Sequence, residues 1–329
     1  MINLTKEEEE RAREIHARSI VINGLNVSKI DDDYFPKMRE GGVTGDHITV
    51  SFNRRNLSEV VKDLSRWYSL VERNSKKILW ASGTEDVRRA KETGKTAIIP
   101  GLQDTVTLEG DVDILRIYHK LGIRVIQLTY NDRNLVGDGC GERTNTGLSN
   151  LGFRVIEEMN RLGILVDLSH VGDATTSETI DVSKQPVAFT HANARALCDN
   201  MRNKTDEQIK AMAKKGGVMG ICAYSPMLSR EPNPTIDVFL DQLDYVVNLA
   251  GLDGVGIGLD LIEGWTKREL VLTKKWPHLY PSVSLVSELN SISKIHNITR
   301  GLVSRSYSDR EIKKILGGNF VRLMERVWH

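Results

Sequence analysis

Eight short runs rich in β-forming residues alternate with amphipathic helical stretches, and this alternation constrains the fold more than any other feature. The runs are SIVINGLNV, GVTGDHITVSF, KTAIIPGLQ, IRVIQLTYN, GILVDLSHV, PVAFTHA, GGVMGICAY and DGVGIGLDL. Strands separated by helices run parallel, because parallel neighbours need a crossover. Eight such units are the number that closes a (β/α)8 TIM barrel. A doubly wound open sheet is the alternative, and the regularity of the eight units favours the barrel. No Pro/Ser-rich linker or composition shift divides the chain, so residues 1–329 are expected to form one α/β domain.

The helical stretches carry their own punctuation. Thr5 with Glu8 and Ser308 with Glu311 read as capping boxes, the first opening an N-terminal helix. Ser58 reads as the N-cap of NLSEVVKDLSRWYSLVERNSKK, and Gly122 as the stop after DVDILRIYHKLG. Gly317–Gly318 reads as a break in the closing helical stretch. The region near 264–300 has the least regular pattern and is expected to be a long loop or lid.

With a formal net charge of +1 and interspersed acids and bases, the chain has no electrostatic footprint for nucleic acid or an anionic membrane. No apolar run approaches the roughly 20 residues of a membrane span, and no secretory signal is read at the start. Cys140, Cys198 and Cys222 lack CxxC spacing and are expected to be free buried thiols in a reducing cytosol. A cytoplasmic protein is therefore expected.

In a barrel, chemistry gathers where strands end and the following loops begin. Those ends here carry Leu25 and Val27, Asp46 or His47, Gln103, Tyr130 and Asn131, His170, His191, Tyr224 and Asp260. Imidazole and carboxylate from separate strands can hold a divalent ion such as zinc. A lone histidine at a strand end is more often simply hydrogen-bonded; the pair His170 and His191, with Asp260, makes the site reading competitive. The G-x-G-x-G in DGVGIGLD lies inside a strand, so close backbone packing explains it better than a dinucleotide loop. No G-x-S-x-G elbow or P-loop occurs.

The stretch EEMNRLGILVDLSHVGDATTSETIDVSKQPVAFTHANARALCDNMRNKTDEQIKAMAKKGGVMGI strongly resembles the membrane (renal) dipeptidase family, peptidase family M19. LRIYHKLGIRVIQLTYNDRN, DGVGIGLDLIEG and ILGGNFVRLMERVW extend the likeness over nearly the whole chain. The resemblance implies an amidohydrolase-like, metal-dependent barrel, a homodimer, and two zinc ions bridged by the hydroxide that attacks a dipeptide carbonyl. His170 and His191 match the family's second-metal histidines, and Asp260 the aspartate that completes the set and handles the proton. Arg202 matches the arginine for the substrate carboxylate, and Tyr224 a substrate-side tyrosine. Asn131, beside these positions, is expected to contact substrate.

The same comparison shows losses. The family's first-metal His-x-Asp pair falls on Leu25 and Val27, its bridging glutamate on Gln103, and a further active-site histidine on Tyr130. Dications about 3.5–4 Å apart repel unless anions lie between them. Gln103 offers a carbonyl oxygen but no charge, and Leu25 and Val27 offer nothing. At most one divalent ion, zinc by type, is therefore expected, on His170 and His191 with Asp260 or Gln103 as a third ligand. Asp46, His47 and Glu142 are conceivable replacement ligands. Since Asp46 and His47 are adjacent in a strand, only one can face inward.

Three functions fit. The first is a dipeptidase-like hydrolase of a small carboxylate-bearing amide, a dipeptide or N-acyl amino acid, with Asp260 moving the proton and Arg202 clamping the carboxylate. The second is a lyase, decarboxylase or isomerase on the same scaffold, with Tyr130 or His170 moving protons. The third is a non-catalytic small-molecule binding protein.

Overall fold

The computed structural model describes residues 2–51, 56–231, 233–265, 272–275, 277–278 and 284–328. Its strands are β1 (Ile22–Asn26), β2 (Gly45–Thr49), β3 (Ile78–Trp80), β4 (Thr96–Leu102), β5 (Val125–Gln127), β6 (Leu165–Asp167), β7 (Ala188–Ala192), β8 (Val218–Ile221) and β9 (Val255–Ile257). They pair in the order β1-β2-β4-β5-β6-β7-β8-β9, every pair parallel. Beyond the ladders, Asp260 N donates to Leu25 O at 3.1 Å and Val27 N to Leu261 O at 2.9 Å, which brings the last strand back to the first. The eight predicted runs are the eight staves of this (β/α)8 barrel.

β3 is the element the sequence pattern does not reveal. Its three residues follow directly on the helix Leu57–Arg73 and pair with the start of β4, Ile78 opposite Thr96. A run this short carries no periodicity of its own.

Side chains alternate along each stave, and this places the site. Ile22, Ala97, Ile99, Val125, Leu165, Ala188 and Val218 pack with Phe320 from the C-terminal helix Asn319–Val327, closing one end of the barrel. Two residues onward on the same inward face, Val125 gives way to Gln127 and Leu165 to Asp167. The interior thus turns from apolar to polar toward the strands' carboxyl ends.

Three local expectations need correction. The helix Leu57–Arg73 is capped by Asn56, not Ser58: Asn56 and Glu59 exchange side-chain-to-backbone hydrogen bonds at 3.0 and 3.2 Å. Gly317–Gly318 does not break the closing helix. The chain passes through a π-helical turn, Lys314–Gly318, where a Cβ on Gly317 would fall 2.5 Å from Ile20 O. The region 264–300 is not irregular throughout: it contains helical residues 272–275 and turns Ser287–Leu289 and Ile292–Lys294, and the helix His296–Ser304 begins within it. Residues 266–271, 276 and 279–283 of that region lie outside the described ones. The boxes at Thr5–Glu8 and Ser308–Glu311 form as expected.

Candidate active site at the barrel mouth

His170 follows β6 and His191 lies in β7, and their rings meet with centroids 5.0 Å apart. Both are buried. His170 Nδ1 lies 2.7 Å from Asn131 Oδ1, and His191 Nδ1 lies 2.8 Å from Thr190 Oγ1. The Nε2 of each is buried and, among the described residues, has no hydrogen-bond partner. Burial, and next to it the Arg202 guanidinium, hold both imidazoles well below the ordinary histidine pKa, so both are neutral at pH 7. The Tyr130 ring stacks on His170, centroids 4.1 Å apart and planes tilted by 23°.

Arg202 is fully buried behind the pair. It donates through Nη1 to Ser169 O and through Nη2 to His191 O at 3.4 Å. It thereby ties the loop after β6 to β7. Asp260, just past β9, holds φ +56°, a left-handed backbone that costs a non-glycine residue free energy. Burial pushes its carboxyl up to about 6, with Arg202 opposing and Asp167 assisting.

The remaining expected residues fall in three places. Leu25 and Val27 are buried hydrophobics at the end of β1. Gln103 is buried after β4, and its backbone carbonyl accepts from Gln127 Nε2 at 2.8 Å. Tyr224 packs in an apolar cluster with Cys222 and Met227. Among the replacement ligands, His47 points into the barrel, donating from Nδ1 to Gly24 O at 2.5 Å, while its Nε2 has no partner among the described residues. Asp46 turns to the other face, where Asn23 and Asn26 donate to its two oxygens at 2.9 and 2.7 Å. Glu142 accepts from the backbone N–H groups of Arg133 and Arg143 at 3.2 and 2.8 Å in a loop. The three cysteines are free and buried, as expected.

Sequence reasoning missed Asp167, Thr190 and Lys204. Asp167 accepts from Thr190 Oγ1 at 2.7 Å and from Ser169 Oγ at 2.6 Å. Lys204 is fully buried; its Nζ donates to Val171 O at 2.9 Å, and burial lowers its pKa to about 7. The polar letters flanking each histidine in VDLSH and FTHA are ordinary strand composition and gave no distinct signal, and Lys204 lies in neither motif.

The donors test the fit of an implied metal. Two buried imidazoles with bare Nε2 atoms, each steadied through Nδ1, suit one borderline ion such as zinc. The Leu25 and Val27 side offers none. Among the described residues, no cluster of three or more His, Cys, Asp or Glu is gathered for a metal. The two bare Nε2 atoms are the donors such an ion would use.

A nearly closed parallel barrel whose mouth presents paired imidazoles and an aspartate in left-handed backbone has the amidohydrolase-like architecture. More narrowly, the chain belongs to the membrane dipeptidase family, peptidase family M19, whose model matches residues 10–329. It is 30% identical over 261 residues to dipeptidase tcpJ of Claviceps purpurea, covering 78% of this chain and 57% of that protein. Mouse dipeptidase 3 is 28% identical over 241 residues, 71% of this chain and 45% of its own length. The chain thus spans about half the length of these curated relatives. A crystal structure of an amidohydrolase from Pseudomonas aeruginosa superposes with a TM-score of 0.92 at 35% identity, covering 96% of this chain and 99% of that one. No helix among the described residues is long and apolar enough to cross a membrane.

Proposed function

We propose that this chain is a dipeptidase-like hydrolase of a small amide bearing a carboxylate, a dipeptide or an N-acyl amino acid, working with at most one divalent ion. The observation that carries the proposal is the pair of bare, buried Nε2 atoms on His170 and His191. Membership of a family whose metallopeptidases are typically zinc-dependent supports it.

His170 and His191 would hold the ion, with Asp260 or Gln103 as an oxygen donor. The ion would polarise the scissile carbonyl and lower the pKa of water. The chain's own residues do the rest. Asp260, with a pKa raised to about 6, is mostly ionised at pH 7 and takes the proton of the attacking water. The same carboxyl then returns the proton to the leaving amine. Arg202 beside the imidazoles makes the pocket electropositive, which favours an anionic substrate group there. Leu25 and Val27 form an apolar wall where the family places its first ion.

The test is metal content followed by a dipeptide panel. We expect about one zinc per chain, lost in His170→Ala and His191→Ala, and turnover of unblocked dipeptides. Purified protein that takes up no zinc from excess, or a silent panel on the zinc-loaded protein, overturns the proposal.

A further inference from the structure

We infer that Asn131, and Thr190 together with Asp167, are positioning residues that set His170 and His191 in one shared tautomer, proton on Nδ1 and lone pair on Nε2. The inference goes beyond the hydrolase reading, because it concerns the metal-free chain.

The argument for His191 follows one hydrogen atom. The Thr190 hydroxyl donates its proton to Asp167 Oδ2 at 2.7 Å. A hydroxyl has a single proton, so toward His191 Nδ1, 2.8 Å away, Thr190 can only accept. His191 Nδ1 must therefore carry hydrogen. Asp167 is itself fixed in place, since its Oδ1 accepts from Ser169 N at 3.0 Å, Ser169 Oγ at 2.6 Å and Thr190 N at 3.1 Å. It is 1% exposed, so water does not compete for Oδ2.

His170 reaches the same state by another route. Its Nδ1 meets Asn131 Oδ1 at 2.7 Å, and the Cys140 thiol donates to that same oxygen at 3.3 Å. The atom both groups meet is the oxygen end of the Asn131 amide, which can only accept. His170 Nδ1 is again the donor. The chain contains its own contrast in His16, whose Nε2 lies 2.8 Å from the Gly41 carbonyl and whose Nδ1 lies 2.7 Å from the Thr299 hydroxyl. A carbonyl cannot donate, so His16 is protonated on Nε2. The two routes at the barrel mouth leave both lone pairs presented there, the state an imidazole needs to bind a cation or accept a proton.

The experiment is long-range ¹H–¹⁵N correlation on metal-free protein labelled with ¹⁵N-histidine, each ring assigned by substitution. Wild type should show His170 and His191 as Nδ1–H forms and His16 as Nε2–H. Thr190→Val should release His191 into mixed tautomers and leave His170 unchanged. Asn131→Ala should do the converse, and Thr190→Ser should restore the wild-type pattern. Nε2–H at either barrel-mouth histidine of wild type overturns the inference, even if every variant fails to fold. So does a folded Thr190→Val whose His191 signal is unmoved. As a second readout, zinc affinity measured by chelator competition should fall about 10–100-fold in Thr190→Val and recover in Thr190→Ser. A wild-type chain that binds no zinc would defeat the hydrolase proposal and leave the tautomer assignment to be decided by the spectra.

Discussion

Gly258 in β9's continuation lies so close to Thr190 that a Cβ on the glycine would fall 1.9 Å from the Thr190 carbonyl oxygen. Gly24 and Gly220 crowd the same oxygen, with hypothetical Cβ distances of 2.3 and 2.2 Å. Gly258 of DGVGIGLD, with Gly24 and Gly220, thus makes room for the Thr190 carbonyl, one residue before His191. Gly258→Ala should cost about 1–3 kcal/mol by chemical denaturation, because a backbone oxygen cannot move aside cheaply. It should also weaken zinc binding by displacing His191. A wild-type midpoint and wild-type affinity would refute the close-approach account.

Restoring charge should restore a second metal. Two dications about 4 Å apart repel by about 16 kcal/mol at an effective dielectric of 20, so intervening anions are required. The triple variant Leu25→His, Val27→Asp, Gln103→Glu supplies two carboxylates and an imidazole at positions now buried and neutral. Zinc per chain, measured by plasma mass spectrometry, should rise from at most one toward two. The double variant retaining Gln103 should fall short. An unchanged ratio in the triple variant would show that these positions do not face a common site.

Much of this was legible from residues alone, for identifiable reasons. The staves were readable because parallel strands buried on both faces leave continuous β-rich runs, as in KTAIIPGLQ. His170 and His191 were readable because histidine at a strand end is uncommon and two of them adjoin. Thr190 and Asp167 were not: a threonine in FTHA is ordinary strand composition, and only its 2.7 Å bond to Asp167 gives it a role. Arg202 was assigned to a substrate carboxylate, whereas the fold first gives it the carbonyls of Ser169 and His191. Contacts between residues 11 to 33 positions apart leave no local pattern.

Asp46 should make stability depend on pH. Burial pushes its carboxyl up to about 7, although Asn23 and Asn26 both donate to it. Between about pH 4 and 7 the folded protein then holds a proton that the unfolded chain, with an ordinary aspartate, has released. Stability from this residue is complete below about pH 4 and is lost as pH rises through about 7. Asp46→Asn removes the titration, so its stability relative to wild type should improve across that window. The gain should be a few kcal/mol at most, since one pKa unit corresponds to about 1.4 kcal/mol. The slope is diagnostic, since the amide also changes the hydrogen bonding at every pH. Parallel curves for the two proteins would contradict a raised Asp46.

The ring of Tyr130 and its hydroxyl can be separated. Tyr130→Phe keeps the stack on His170, so zinc content and melting temperature should hold. If the hydroxyl moves or donates a proton in the reaction, kcat should fall about 100-fold or more. Tyr130→Ala removes the stack as well, worth about 0.5–1.5 kcal/mol, and should lower stability in addition. A Phe variant with wild-type kcat would reduce Tyr130 to a packing residue.

Arg202 requires a test that separates scaffold from substrate. Its guanidinium is wholly buried and already serves two backbone carbonyls, so Arg202→Ala should cost about 3 kcal/mol by leaving them without donors. That loss alone would depress activity on any substrate. Arg202→Lys keeps the charge but not the planar fork, and a bidentate carboxylate contact would suffer most. KM for a free dipeptide should therefore rise about tenfold or more in Arg202→Lys, while KM for the same dipeptide with an amidated carboxyl terminus should barely change. Equal losses on both substrates would confine Arg202 to holding the Ser169 loop against β7.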